Sequence, residues 1–465
     1  MTGAEPSEGG GDLAEDLGRL VSAALAEPEL RIEELRRVSG GASRETWSFD
    51  AVGPSIGRRS LILQRRRPGP TMAGPTMAAE DGLLAAAADA GVPVAPTVVD
   101  VAEATSQLGE ARITERVAGE VLGPRIVRAE RSISQRRHLA RQIGGTLARV
   151  HSIDPATVVG LEPRDPIAAA RDGLDAMGEA RPAFELSLRW LRDHRPEPWT
   201  DAVVHGDFRI GNLLIDGDEI TAVLDWELAH LGDPREDLGW LCVRAWRFGG
   251  PFEAGGVADL DDVLSGYAEA GERIVDPEAV RWWSVVGTLT WGLICAVQAR
   301  RHLDGHVRSV ELAAIGRRVC ENEYDLLDLI GVPRPEPARW PSPASPEDPP
   351  AGTHGRPTAL ELLDAVRGHL SDEVRPTLSG AAAFGVRVAA NALAVVEREL
   401  RLGPGVESAQ RRRLDELGFA DEAALAAAVR AGEADGRPEL LQAVRAAVVD
   451  RLRVANPSWL VPPDR

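Results

Sequence analysis

Three oxygen-bearing side chains at set spacing, Asp207, Asn212 and Asp225, restrict this chain more than any other feature. Asp207 and Asn212 lie in the run His205-Gly206-Asp207-Phe208-Arg209-Ile210-Gly211-Asn212, and Asp225 follows residues 219–224, an apolar run with the character of a strand. Gly217, between Asp216 and Asp218, marks the turn of a hairpin leading into that strand. The Asp-x-x-x-x-Asn spacing sets a proton acceptor beside a ligand for a hard cation, and the strand delivers a second carboxylate. Phosphoryl transfer asks a protein mainly for positioning and for neutralisation of charge on phosphate oxygens. These groups suit it: Asp207 to accept the proton of an attacking hydroxyl, Asn212 and Asp225 to hold magnesium ions that also grip nucleotide phosphates. An isolated His-x-Asp would serve equally well as a cap or a turn brace. Here one of only four Asn in the chain falls on the ligand position, with the strand-borne Asp in step behind it.

The phrases Val204-His205-Gly206-Asp207-Phe208-Arg209 and Asp225-Trp226-Glu227-Leu228-Ala229-His230-Leu231-Gly232-Asp233-Pro234 resemble the aminoglycoside phosphotransferase-like (choline kinase-like) family. Within it they are similar to the kinase-like domains associated with acyl-CoA dehydrogenases. The resemblance covers roughly residues 20–335. It implies an α+β, protein-kinase-like two-lobe fold, with a small β-rich N-lobe, a larger helical C-lobe and ATP in the cleft between them. It implies Asp207 as catalytic base and Asn212 and Asp225 as magnesium ligands. It places nucleotide contacts at Gly40, Gly41 and Ser43 in a glycine turn between two strands, and at Gln64 or Arg65 near the end of a third strand. Further nucleotide-site positions are Glu80, on a helix expected over residues 78–90, and Thr114, Glu115 and Val117. Arg209 matches the branch associated with acyl-CoA dehydrogenases, where aminoglycoside-modifying members commonly carry His, which leans away from an antibiotic acceptor. Beside Asp207 it orients the base, meets an acidic substrate, or meets the transferring phosphoryl group. His205 is expected to fix the loop through hydrogen bonds, and Asp233 and Asp237 to cap and brace the following helix. Trp240, Trp246 and Phe248 either line an acceptor pocket or pack the lobe.

The chain departs from the family pattern in having no lysine, so all 53 basic residues in the Lys+Arg total are Arg. Gln64 occupies the strand position of the expected phosphate-binding Lys, with Arg65, Arg66 and Arg67 behind it. Arginine offers a bidentate fork but needs a different geometry. The absence excludes Walker P-loop and lysine Schiff-base chemistry. It also motivates a second reading, a nucleotide-binding pseudokinase acting as a binding or regulatory module. A third, a metal-dependent hydrolase built on His205, Asp207, Asp225 and His230, has no use for the Asp-to-Asn spacing. Cys242, Cys295 and Cys320 are widely spaced, which suggests neither zinc nor disulfides and fits a cytoplasmic location. A net charge of −19 argues against a nucleic-acid partner.

Composition divides the chain into a flexible N-terminus (1–20), an N-lobe (21–118), a C-lobe with the catalytic loop (119–332), a Pro-rich linker (333–357) and an all-helical domain (358–465). In the last, Leu360, Leu363, Val366, Leu370 and Val374 recur at helical spacing. So do Phe384, Val388, Leu393, Val396 and Leu400, with Gly403-Pro404-Gly405 expected to close that helix. The region resembles a small helical domain of unknown function found with these phosphotransferases, a docking or oligomerisation module in structural terms. Residues 282–299 carry no formal charge but include Ser284, Thr288 and Gln298, and are expected to form a core helix rather than a membrane span. Arg300-Arg301-His302 either ends that helix or receives a phosphorylated or CoA-linked molecule. The expected ligands are ATP, with GTP open, Mg2+, and a small metabolite bearing a hydroxyl, a hydroxyacyl-CoA among them; no membrane partner is expected.

Overall fold

The computed structural model describes residues 10–38, 44–66, 74–334, 353 and 355–461. They form two compact units, Met1–Arg164 with Pro198–Asp276, and Asp165–Glu197 with Pro277–Arg465. The first unit opens with helix α1 (Gly10–Ala24), followed by strands β1 (Arg31–Val38), β2 (Arg44–Gly53) and β3 (Gly57–Arg66). Helix α2 (Met77–Asp89), strand β4 (Thr97–Val99), helix α3 (Val101–Leu108) and strand β5 (Ala111–Glu115) complete an antiparallel sheet of order β1-β2-β3-β5-β4. Strand alternation divides the sheet into two chemically distinct faces. Phe49, Ala51, Leu61, Leu63, Ala111 and Ile113 bury on one face against Leu13, Leu17, Leu20 and Val21 of α1. The segment expected to be flexible up to residue 20 is therefore helical from Gly10, because its apolar stripe supplies the layer that the sheet must pack against. The opposite face, one residue out of phase, carries Gln64 of β3 directly across from Arg112 of β5. The helix expected over 78–90 is α2, capped by Thr76, whose hydroxyl accepts from the Ala79 N–H at 3.2 Å.

Helices α4 (Gly123–Arg128) and α5 (Ile133–Val150) follow, then α6 (Pro166–Met177) and α7 (Pro182–Asp193), which belong to the second unit. The chain returns to the first unit as β6 (Ala202–Val204), β7 (Leu213–Asp216), β8 (Glu219–Val223) and β9 (His230–Gly232), then α8 (Arg235–Leu241) and α9 (Leu260–Gly271). β6 pairs with β9, and β7 with β8 through the expected turn, where Gly217 takes φ +61°. The loop 205–212 thus bridges two short ribbons, and Asp225 sits just past the end of β8.

The second unit adds α10 (Pro277–Leu303), α11 (Val310–Ile315), α12 (Val319–Leu329), α13 (Ala359–Gly368), α14 (Gly380–Leu417), α15 (Glu422–Ala431) and α16 (Pro438–Ala455). The uncharged stretch 282–299 is a core helix: Trp282, Trp283, Val286 and Leu289 of α10 bury against Phe184 and Leu188 of α7. At its end Arg300 donates to the Met177 carbonyl at 2.9 Å, a helix-terminal role. Helices α10 and α14 are long and apolar enough to cross a membrane by length and composition; little of the apolar window of α14 is fully buried, and Phe384, Val396 and Leu400 are exposed. A second cluster joins Leu186 of α7 and Leu327 of α12 to Val429 of α15 and to Val444 and Val448 of α16. The region 358–465 therefore shares a core with helices expected in the C-lobe instead of standing alone. Most of the expected linker 333–357 lies outside the described residues.

Helix α14 does not close at Gly403-Pro404-Gly405 but continues to Leu417. Both halves are tied to α16: Arg398 donates to the Val454 carbonyl at 2.6 Å, and Arg413 pairs with Asp450 at 2.8 Å. Those anchors hold both halves although Pro404 removes a helical hydrogen bond, and the helix runs on through it. Replacing Pro404 by Ala is expected to raise unfolding free energy by about 1–3 kcal/mol in urea titration. A loss of stability would show that the helix is broken there.

Candidate active site

The loop bearing Asp207 is anchored from below by Asp237 of α8, which has no exposed surface. Its Oδ2 accepts from the His205 N–H at 2.8 Å and its Oδ1 from the Gly206 N–H at 2.9 Å. His151, at the end of α5, adds its Nε2 at 3.1 Å and is itself held through Nδ1 by the Tyr267 hydroxyl at 3.0 Å. Burial by itself pushes the Asp237 pKa up; the His151 hydrogen bond and charge, with the His205 N–H, hold it below the usual carboxylate range. The sequence suggested a helix brace here, and the structure corrects that to a loop anchor. Asp233 does brace α8, accepting from the Arg235 N–H at 2.9 Å. Gly206 takes φ +79°, and a Cβ there would collide with the Leu228 carbonyl, so the turn needs glycine.

His205 is fully buried, and desolvation keeps its pKa below the ordinary imidazole value, so the ring is neutral. Its Nε2–H donates to the Leu224 carbonyl at 3.0 Å while Nδ1 accepts from the Asp207 N–H at 3.2 Å. The ring lies 4.6 Å from that of Trp226. It is a bolt between the loop and the residue preceding Asp225, as the sequence suggested. His230 is occupied too, with the Leu228 carbonyl at 2.9 Å and Glu236 at 3.3 Å. The four-residue hydrolase constellation therefore has neither histidine available.

The Asp207 carboxylate is held on three sides. Oδ1 accepts from Trp240 Nε1 at 2.8 Å and from Arg209 Nε at 3.0 Å, and Oδ2 accepts from Asn212 Nδ2 at 2.6 Å. The Arg209 guanidinium lies over the Trp246 ring, 4.9 Å from its centroid. Arg209 thus fixes the Asp207 carboxylate, and Trp240 and Trp246 pack on carboxylate and arginine; Phe248 lies against Gly123. With its amide nitrogen turned to Asp207, Asn212 offers Oδ1 to a cation.

Asp225 has φ +64°, a conformation seldom adopted by residues other than glycine and one that points to a functional constraint. Burial, then the charges of Glu227 and Asp207, push its pKa up to about 7, against the opposing pull of Arg44 and Arg209. Crowded carboxylates of this kind are relieved by a divalent cation. Among the described residues, no group of three or more His, Cys, Asp or Glu side chains could hold a metal. An amide and one carboxylate instead fit magnesium, which binds few protein oxygens and keeps its waters.

Of the expected nucleotide contacts, Gly40, Gly41 and Ser43 lie outside the described residues. Arg65 is ruled out as a phosphate contact: strand alternation turns it to the face opposite Gln64, where it pairs with Glu45 at 2.7 Å. Glu80, almost wholly buried, is held by Arg44 of β2 at 2.9 Å and by Arg112 of β5 at 2.8 Å. Thr114 is buried on β5, Glu115 pairs with Arg59, and Val117 follows, half-buried, just past the strand. Sequence reasoning missed Arg44, Arg112, His151 and Tyr267. Arg44 left one signal, its place directly after the glycine turn.

Asp237→Ala would strand two loop N–H groups and His151, and is expected to cost about 3 kcal/mol or more in urea unfolding. Asp225 must lose its proton to bind a cation, so magnesium affinity of the nucleotide-free protein is expected to rise about tenfold between about pH 6 and about pH 8. Titration calorimetry on wild type and Asp225→Asn checks this; an affinity that does not change with pH in wild type removes Asp225 as the titrating ligand.

Residues 34–283 match the family model described as APH, phosphotransferase enzyme family, and residues 376–459 match a domain of unknown function, DUF6285. Acyl-CoA dehydrogenase family member 10 of Mus musculus is 32% identical over 45% of this chain and 20% of its own. Family member 11 of Gallus gallus is 28% identical over 44% of this chain and 27% of its own. The match therefore spans about a fifth to a quarter of those relatives. A candidate aminoglycoside phosphotransferase of Ralstonia eutropha JMP134 superposes with TM-score 0.54 at 23% identity, covering 69% of this chain and 98% of that one, a likeness of fold. The family match takes in the anchored loop, the hairpin and Asp225 together and extends over more than half of the sequence, and on that ground the chain belongs to the phosphotransferase enzyme family.

Proposed function

We propose that this protein transfers the γ-phosphate of ATP to a hydroxyl group of a small metabolite. The observation that carries this reading is the convergence of Arg209, Asn212 and Trp240 on the Asp207 carboxylate, with Asp225 close enough to feel its charge. In the proposed reaction the acceptor hydroxyl hydrogen-bonds to Asp207, which orients the attacking oxygen and takes its proton as the bond to the γ-phosphorus forms and the bond to the β,γ-bridging oxygen breaks, releasing ADP. Arg209 and Trp240 keep the carboxylate in one rotamer, so little reorganisation is needed at the moment of attack. Asn212 Oδ1 and Asp225 would hold magnesium, which offsets charge on the phosphate oxygens when bound. The segment from Glu115 to Val117 would take the nucleotide base, and GTP remains open beside ATP.

Two observations bear on the acceptor class. The relatives bear the name of acyl-CoA dehydrogenases, and Arg209 beside the base suits an acidic acceptor, which together favour a hydroxyacyl-CoA over an antibiotic. A pseudokinase is the second reading, favoured by the neutral Gln64 on the face that carries Arg112.

Asp207→Asn is expected to lower turnover at least about 100-fold while leaving magnesium–ATP affinity nearly unchanged. Phosphate transfer to a panel of hydroxylated metabolites, including hydroxyacyl-CoAs, is the assay. Full turnover in the variant would overturn the role of Asp207. Tight ATP binding by wild type without transfer to any hydroxyl would favour the pseudokinase.

A further inference from the structure

A nucleotide's phosphates need a fixed cation, and the strand position expected to supply it holds Gln64 in a chain without lysine. Of the arginines that follow Gln64, Arg65 pairs with Glu45 at 2.7 Å on the other face of the sheet and Arg66 with Glu110 at 2.7 Å, while Arg67 lies outside the described residues. We propose that Arg44, the first residue of β2, grips the nucleotide phosphates in place of a lysine on β3, and that Glu80 and Arg112 hold it in position. The inference rests on the nucleotide-binding reading above and specifies the residue on which that reading depends.

Register places Arg44 on the same face as Gln64. Arg44 pairs with Arg66 and Thr46 with Gln64 across β2 and β3, while Gln64 pairs with Arg112 across β3 and β5. Two arginines therefore converge on Glu80. They are not equivalent. Arg112 is 1% exposed and lies between Glu80 at 2.8 Å and Asp81 at 3.1 Å, so it serves as the buried counter-charge of α2. Arg44 lies nearer the surface and faces a second segment of the chain as well, at Glu227.

The Arg44 side chain is 11% exposed, and the fork of its guanidinium meets Glu80 through NH1 at 2.9 Å and through NH2. Its Nε stands 3.6 Å from Glu227, two residues beyond Asp225. The guanidinium thus bridges α2 and the segment carrying the proposed magnesium ligand, the span that phosphates bound to that magnesium would occupy. A guanidinium has more N–H donors than one carboxylate can accept, so Arg44 can keep Glu80 while donating to phosphate oxygens. It is charged at every working pH.

The test compares binding of magnesium–ATP and of adenosine, which lacks phosphates, by titration calorimetry on the full chain. Arg44→Gln is expected to weaken ATP binding at least about tenfold and to leave adenosine binding unchanged. Adding Gln64→Lys to that variant is expected to restore most of the ATP affinity. If wild type binds ATP and the variant loses neither ligand, or loses both equally, Arg44 is only a bracket between α2 and the 225–227 segment, and the inference is overturned while the proposed function stands. If folded wild type binds neither nucleotide nor nucleoside, the nucleotide reading itself fails. Should Arg44→Gln not fold, phenylglyoxal labelling of wild type with peptide mapping gives the answer. Protection of Arg44 by magnesium–ATP but not by adenosine supports the assignment, and labelling indifferent to bound ATP overturns it.

Discussion

A buried carboxylate must be fully satisfied or it unfolds what surrounds it, and Asp237 meets that demand with the backbone of the loop it supports. The loop, α5, α9 and the segment leading to Asp225 are tied together through that bond set. His151 brings α5 to Asp237, Tyr267 brings α9 to His151, and His205 carries the connection on to the Leu224 carbonyl beside Asp225. Asp207 and Asp225 are thereby placed relative to each other by main-chain hydrogen bonds and not by long side chains that would have to be ordered separately.

On this frame the charges are arranged in two layers. Near the reacting position, Asp207, Asp225 and Glu227 form an acidic group, with Arg209 and Arg44 as the opposing charges felt at Asp225. Behind it, Glu80 and Arg112 form a buried pair that belongs to the sheet and α2. Arg44 touches both layers, through Glu80 and Glu227. The cysteines take no part: burial pushes Cys242, Cys295 and Cys320 up to about 12, so they behave as small apolar residues.

What could be read from the sequence was what depends on neighbours along the chain. The Asp207–Asn212 spacing, the Gly217 hairpin, strand β8 and helix α2 are all local patterns, and each appears where its residues indicated. Asp237 was misjudged because its partners lie 31, 32 and 86 residues away, while the local cue, an acidic residue opening a helix, pointed to α8. Arg44 stayed hidden because the pairing of β2 with β3 and of β3 with β5 decides which arginines share a face with Glu80, and that register leaves no mark in one strand alone. Pro404 misled for the opposite reason: its local preference is strong, and the tertiary ties to α16 override it.

A chain whose side-chain cations, histidine aside, are all guanidinium groups also changes how the proposed nucleotide site would answer chemical probes. Nucleotide analogues that acylate the phosphate-binding amine of kinases would meet no side-chain amine anywhere in this sequence. Silence in such a survey would reflect the absence of a nucleophile at Arg44 and Arg112, whatever the occupancy of the proposed site. Reagents that condense with guanidinium groups are the ones to which this nucleotide site would be visible.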